Sequence, residues 1–184
     1  MADHTHLRRL RSDELTHDET SAIRELLWAA FAKDEHGGFA EDDWRHALGG
    51  THFVLDVDGV IVSHASVVER MLHVAGAAIR TGYVEAVATS PARQGRGYGT
   101  AVMRAVDELI VRDYALGMLG TGSHGFYERL GWRVWQGPSS VLTSAGEVAT
   151  PEDDGYIMFL LTPSSPPVDP SDPIACEWRE GDVW

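Results

Sequence analysis

Tyr83-Val84-Glu85-Ala86-Val87-Ala88 is an apolar run with one carboxylate set in it, and a few residues on comes Arg93-Gln94-Gly95-Arg96-Gly97-Tyr98-Gly99-Thr100. The first stretch predicts a buried strand, expected to run from Ile79 to Ala88. After the second, Ala101, Val102, Ala105, Val106, Leu109 and Ile110 recur at helical spacing and predict a long amphipathic helix. Glycines between a strand and a helix let the backbone turn tightly and point successive N–H groups inward. The helix N-terminus adds partial positive charge, and Arg93 and Arg96 add whole charges. Such a turn suits a pyrophosphate, or it is a bare strand–helix connection. It is not a Walker A loop, which ends in Gly-Lys-Ser/Thr, and a Rossmann fingerprint would come near the start of its fold rather than after four strands.

Working outward, Leu7 to Leu10 reads as a first strand, and Thr16-His17-Asp18-Glu19 has capping-box spacing. Ile23, Leu26, Leu27, Ala30 and Phe31 carry the helix that follows; Glu41 to Leu48 is a second, short one. Phe53–Val57 and Val60–Arg70, joined by Asp58-Gly59, predict a hairpin, and another turn falls around Gly76. Beyond the long helix come a strand from Gly117 into a glycine-rich loop and a two-turn helix from His124 to Leu130. Strands at Trp132–Trp135, Val141–Leu142 and Tyr156–Leu161 follow, then a Pro-rich tether over 163–173. One domain over residues 1–184 of α/β (α+β) class is expected, with helices about a central mixed sheet.

Composition narrows the function. A net charge of −13 argues against nucleic acid and anionic membrane as partners. No run is long and apolar enough to span a bilayer and no secretory leader opens the chain, so a soluble cytoplasmic protein is expected. The single cysteine, Cys176, excludes an internal disulfide, and the nine histidines show no ligand spacing, so no metal is expected. Half of the 28 acids lie in two segments, 34–43 and 145–184, whereas six arginines lie between Pro91 and Trp135. The acids are either a solvated surface or a site for a cation, with the arginines marking a site for an anion.

Gln-x-x-Gly-x-Gly at the head of a long helix, after the strand carrying Glu85, resembles the acyl-CoA loop of the Gcn5-related N-acetyltransferases (GNAT). Phe126-Tyr127-Glu128-Arg129-Leu130-Gly131-Trp132 is similar to that superfamily's tyrosine-bearing helix. A narrower set of patches resembles the aminoglycoside 2'-N-acetyltransferases: Leu48-Gly49-Gly50-Thr51-His52, Gly82-Tyr83-Val84-Glu85, Gly137 to Leu142, Thr150 to Gly155, and Trp178-Arg179-Glu180-Gly181-Asp182-Val183-Trp184. The segment 120–124 departs from that family's serine-rich pattern.

The resemblance implies a splayed mixed sheet holding acetyl-CoA, with Val87, Arg93, Gln94, Gly95, Arg96, Gly97, Gly99 and Thr100 around it. It implies Glu85 as a base acting through water and Tyr127 as the acid that protonates the leaving thiolate. It implies substrate contacts at Asp34, Asp43, Glu85, Asp153 and Asp182 and the terminal carboxylate of Trp184, with 163–184 packing back on the substrate site. A homodimer would follow the family's habit. On the residues alone, the other reading of Glu85 is a structural carboxylate bonded to backbone or to Arg80, and that of Tyr127 a ring packed in the core. A polycation such as an aminoglycoside would satisfy the acids by charge-assisted hydrogen bonds. The alternatives are a GNAT enzyme for another cationic amine (a polyamine, a thiol-precursor amine or a protein N-terminus) and a non-catalytic acyl-CoA sensor.

Overall fold

The computed structural model describes residues 4–32 and 38–184. The chain divides into two compact units, Met1–Val68 with Val84–Val106, and Glu69–Tyr83 with Asp107–Trp184. Three elements run on from one unit into the other: strands β3 (Val60–Val74) and β4 (Ala77–Thr89) and helix α3 (Tyr98–Asp113).

In the first unit, β1 (Thr5–Arg11) pairs antiparallel with β2 (Thr51–Val57), which pairs antiparallel with β3 through the Asp58-Gly59 turn. The capping box forms as its spacing predicts: Thr16 Oγ1 accepts from the Glu19 N–H at 3.2 Å, and Glu19 accepts from the Thr16 N–H at 2.9 Å. Arg8 and that cap together hold the Glu19 carboxyl down to about 2. Helix α1 (His17–Phe31) buries Ile23, Leu26 and Leu27 in a cluster with Trp44, Ala47, Val54 and Ala88; Trp44 and Ala47 come from α2 (Glu41–His46) and its C-cap.

A line of polar side chains crosses this apolar core. Ser12 Oγ lies 2.8 Å from His52 Nε2, His52 Nδ1 lies 2.9 Å from His64 Nε2, and His64 Nδ1 lies 2.8 Å from the Ala86 carbonyl oxygen. Both rings are fully buried, and burial pushes His52 down to about 4 and His64 to about 3.

The second unit adds β5 (Leu116–Gly120), α4 (His124–Glu128), β6 (Arg133–Val134), β7 (Ser139–Thr143), β8 (Gly146–Ala149), β9 (Ile157–Leu161) and β10 (Ile174–Glu177), and its strands follow the order β6-β9-β5-β4-β3-β10-β7-β8. Strand β4 runs parallel to β5 over Thr81–Tyr83 and Leu116–Met118, and the pairing ends there. Gly82 and Gly117 form a notch for the end of α3: a Cβ on either would come within 3.0 Å of Ile110. Trp132 donates to Asp107 at 3.0 Å and Trp135 to the Asp172 carbonyl at 2.9 Å. These anchors bury both indoles and shorten the expected strand over 132–135 to Arg133–Val134.

Two strands lie outside the sequence expectation. Strand β8 is exposed throughout, and β10 inserts between β3 and β7. On α3, Met103 is buried and Ala101 exposed, so the apolar face is Val102, Met103, Val106, Leu109 and Ile110.

Gly137 is crowded from the other side of its loop, since a Cβ there would stand 1.9 Å from the Asp172 carbonyl oxygen. Gly137→Ala should cost roughly 1–3 kcal/mol or more, read by urea unfolding. A second expectation concerns pH. Both histidines are neutral when folded, so as pH falls below ~6.5 the unfolded chain takes up protons first and stability drops. Asp107, pushed up to about 7 by burial, runs the other way, holding its proton in the folded state and gaining stability as pH falls. Asp107→Asn should therefore steepen the loss of stability between pH 7 and 4.5, by on the order of 2 kcal/mol in the same titrations.

Candidate active site

In the first unit, β4 carries Glu85, Ala86 and Val87, all half-buried. Ala86 sits at φ 52°, the left-handed region that an L residue with a Cβ adopts only under constraint. One left-handed residue interrupts the strand alternation and redirects the groups on either side of it, here the Glu85 side chain and the Val87 N–H. Ser66 Oγ donates to the Glu85 carbonyl at 3.4 Å. Arg80, on the same strand, pairs with Glu69 at 2.7 Å.

The glycine-rich turn follows. A 3-10 turn at Pro91–Arg93 is closed by the Arg93 N–H donating to the Ser90 carbonyl at 2.8 Å. Gln94 Nε2 reaches back to the Thr89 carbonyl at 3.4 Å and braces the loop against the end of β4. Gly95 and Gly97 have φ of 75° and 83°, and a Cβ on either would meet nothing within 4 Å. Conformation, not crowding, requires glycine at both positions, and the space over them is open. Gln94, Gly95, Arg96 and Gly97 are exposed, while Arg93, Gly99 and Thr100 are half-buried. A backbone with open approaches, two arginines and the first turn of α3 suits an extended phosphate-bearing ligand.

The first unit also holds Asp43, whose carboxylate accepts the Ala40 N–H at 2.8 Å and caps α2. Its neighbours are paired as well, Glu41 with Arg24 and Asp42 with Arg45. Asp34 lies outside the described residues.

In the second unit, Tyr127 stands on α4 against Phe126 and Trp132, with ring centroids 4.9 and 6.3 Å away. It is 6% exposed, and burial pushes its phenol up, so the hydroxyl keeps its proton. Three of the predicted substrate residues are brought together in this unit. The Trp184 N–H donates to Asp182 Oδ1 at 3.2 Å, its indole donates to Thr150 Oγ1 at 3.0 Å, and Thr150 also bonds Asp153. Burial and the facing charges of Asp182 and Glu152 push Asp153 up to about 6.

Other residues that shape this end of the chain were not singled out from sequence. Arg70 donates to the Val183 carbonyl at 2.8 Å and lies 4.6 Å over the Tyr83 ring. Arg179 lies 5.7 Å from the same ring and donates to the Asp182 carbonyl at 2.7 Å. Thr150, Tyr83 and Arg179 lie in stretches that carry the family resemblance and could have been found from them, but Arg70 sits in a run that reads only as strand.

Among the described residues, no group of three or more His, Cys, Asp or Glu side chains is placed to hold a metal ion. No helix among the described residues is long and apolar enough to cross a membrane.

The chain resembles several known proteins. The family model described as an acetyltransferase (GNAT) domain matches residues 11–135. An aminoglycoside 2'-N-acetyltransferase of Mycolicibacterium fortuitum is 39% identical over 96% of this chain and 91% of its own length. A GNAT-family acetyltransferase of Brucella melitensis, solved with acetyl-CoA, superposes with a TM-score of 0.60 at 21% identity, over 90% of this chain and 92% of that one. A probable N-acyltransferase of Enterococcus faecalis gives a TM-score of 0.58 at 18% identity over 74% of this chain, which spans about a third (33%) of that longer protein. The last two likenesses speak to fold, the GNAT fold of a mixed sheet with flanking helices that the resemblance implies. The chain therefore belongs to the GNAT family of acetyltransferases, as a homologue of the aminoglycoside 2'-N-acetyltransferases.

Proposed function

We propose that this enzyme transfers the acetyl group of acetyl-CoA to the 2'-amino group of an aminoglycoside, a reaction that would protect a cell from such a drug. The observation that carries the reading is the convergence of Asp153, Asp182 and Trp184, with Asp153 pushed up to about 6 by burial and like charge. Carboxylates crowded at such a cost are relieved by a bound cation, and an aminoglycoside brings several ammonium groups. The name of the 39% identical relative supports the same substrate class. Asp43 and Asp34 would add ammonium contacts from the other acidic segment.

The chemistry follows from the residue types. The substrate ammonium must lose a proton before it can attack, and Glu85 would take it through a water molecule. As the new N–C bond forms, the charge gathering on the thioester oxygen would meet the Val87 N–H. As the C–S bond breaks, Tyr127, whose phenol burial keeps protonated, would give its proton to the departing thiolate, and the second proton shed by the new amide nitrogen would return to the phenolate. Arg93, Arg96 and the backbone of Gly95, Gly97, Gly99 and Thr100 would hold the pyrophosphate, with Gln94 bracing the loop.

A thiol-release assay with acetyl-CoA tests this directly. Turnover is expected with tobramycin, which carries a 2'-amino group, and not with kanamycin A, which carries a hydroxyl there; preference for spermidine or a peptide would transfer the reading to another amine. Tyr127→Phe should leave stability nearly unchanged and lower kcat by roughly 100-fold; turnover within a factor of two would return Tyr127 to the core. Asp153→Asn with Asp182→Asn should weaken tobramycin binding by about tenfold or more, read by calorimetry, with acetyl-CoA affinity unchanged. Since a cation favours the ionised carboxylate, tobramycin binding to the unmodified protein should tighten as pH rises from 5 to 7 and Asp153 loses its proton. That slope should flatten in Asp153→Asn.

A further inference from the structure

The chain Ser12–His52–His64–Ala86 has no part in the proposed proton transfers, yet it ends on the left-handed residue between Glu85 and Val87. Its direction can be deduced. A neutral imidazole has one donor nitrogen and one acceptor nitrogen, and a carbonyl oxygen can only accept. His64 Nδ1 must therefore carry the hydrogen that meets the Ala86 carbonyl at 2.8 Å, which leaves its Nε2 to accept. His52 Nδ1 must then donate across 2.9 Å, and His52 Nε2 accepts. Ser12 closes the line. Its oxygen receives the Gly49 N–H at 2.9 Å, so its hydroxyl hydrogen is free for His52 at 2.8 Å in preference to the Gly50 carbonyl at 3.3 Å. Every group has one role, and reversing any link would leave the Ala86 carbonyl without its donor from His64.

Burial adds the second argument. His52 and His64 are both 0% exposed, packed with Trp44 at ring distances of 5.9 and 6.5 Å. An apolar pair would fill this space without two desolvated imidazoles. What an apolar pair cannot do is hold a carbonyl that a left-handed residue has turned toward β3.

We propose that His64, backed by His52 and Ser12, is a positioning residue for acetyl transfer: it fixes the Ala86 carbonyl and thereby aims the Glu85 carboxylate and the Val87 N–H. This rests on the reading of Glu85 and Val87 given above, and the test separates the two. First, nitrogen-15 NMR of the imidazoles in the full chain at pH 7, a measurement independent of any acceptor, should find both rings as the Nδ1–H tautomer. An Nε2–H tautomer or a protonated ring at His64 would overturn the proposal.

Second, kcat is measured with acetyl-CoA and tobramycin for Glu85→Gln, His64→Leu and His64→Asn, the last keeping a donor close to the Nδ1 position. Misaimed reacting groups should lower kcat in His64→Leu roughly 10- to 100-fold, with the KM for acetyl-CoA within about twofold. His64→Asn should recover most of that loss. If Glu85→Gln is slow but His64→Leu turns over at the unmodified rate, positioning by His64 is wrong. Equal losses in folded His64→Leu and His64→Asn would reduce the ring to packing and overturn it too. A silent Glu85→Gln would remove the base assignment itself, and the proposal with it, whatever the histidine variants do. Should His64→Leu not fold, His52→Leu breaks the line one link further away and is read by the same kcat, KM and His64 tautomer.

Discussion

Strand β4 is paired to β5 for three residues and then continues without it, and the groups argued to do chemistry begin where that pairing stops. On its other side β4 keeps β3, whose side chains bond it as well: Ser66 bonds the Glu85 carbonyl, His64 that of Ala86, and Ser63 that of Ala88. Buried carbonyls without a donor are costly, and the left-handed turn at Ala86 takes this stretch out of regular strand geometry. The polar character of β3 at Ser63, His64 and Ser66, odd for a strand buried over its whole middle, follows from this need.

Much of this was readable in the sequence where the signal is local. The capping box at Thr16 and Glu19, the Asp58-Gly59 turn and the glycine-rich loop each depend on residues within a few positions of one another, and each forms as its pattern predicts. Strand β10 was not readable, because Ile174-Ala175-Cys176 is too short to show an alternation and lies just beyond prolines. What makes it a strand is its distant partners, Leu72–Val74 on one side and Ser139–Leu142 on the other. The same holds for the indoles of Trp132 and Trp135, whose hydrogen-bond acceptors, Asp107 and the Asp172 carbonyl, are remote in sequence and pull them out of a regular strand. At the candidate site, residue types pointed to carboxylates facing a cation, but the joining of Asp153, Asp182 and Trp184 through Thr150 is a tertiary fact.

The net charge of −13 is also more structured than a count suggests. In the first unit Glu19, Glu41 and Asp42 each face an arginine. Asp153 is different, since the charged groups that move its carboxyl most are other acids. The single base in its segment of the chain, Arg179, is turned to the Tyr83 ring, to the Asp182 backbone and, at 3.5 Å, to the end of the chain at Trp184. The excess negative charge proposed to meet a cation is therefore a local one, centred on Asp153.

The place of β10 in the sheet has a consequence for how the second unit is made. Strands β3 and β7 are not neighbours; β10 lies between them, antiparallel to one and parallel to the other. A central seam supplied by a late stretch of chain gives contacts of large sequence separation, which form slowly. During synthesis the chain of β7 and β8 is made before the strand that ties it to β3, and until then that edge of β7 lacks its partner. The first unit faces no such wait, since its last stretch, Val84–Val106, leaves the ribosome well before β10 does. The same seam makes the Pro-rich loop over 163–173 a point of weakness, where a single cut would leave the closing strand held only by non-covalent contacts, its pairing with β3 and β7 foremost.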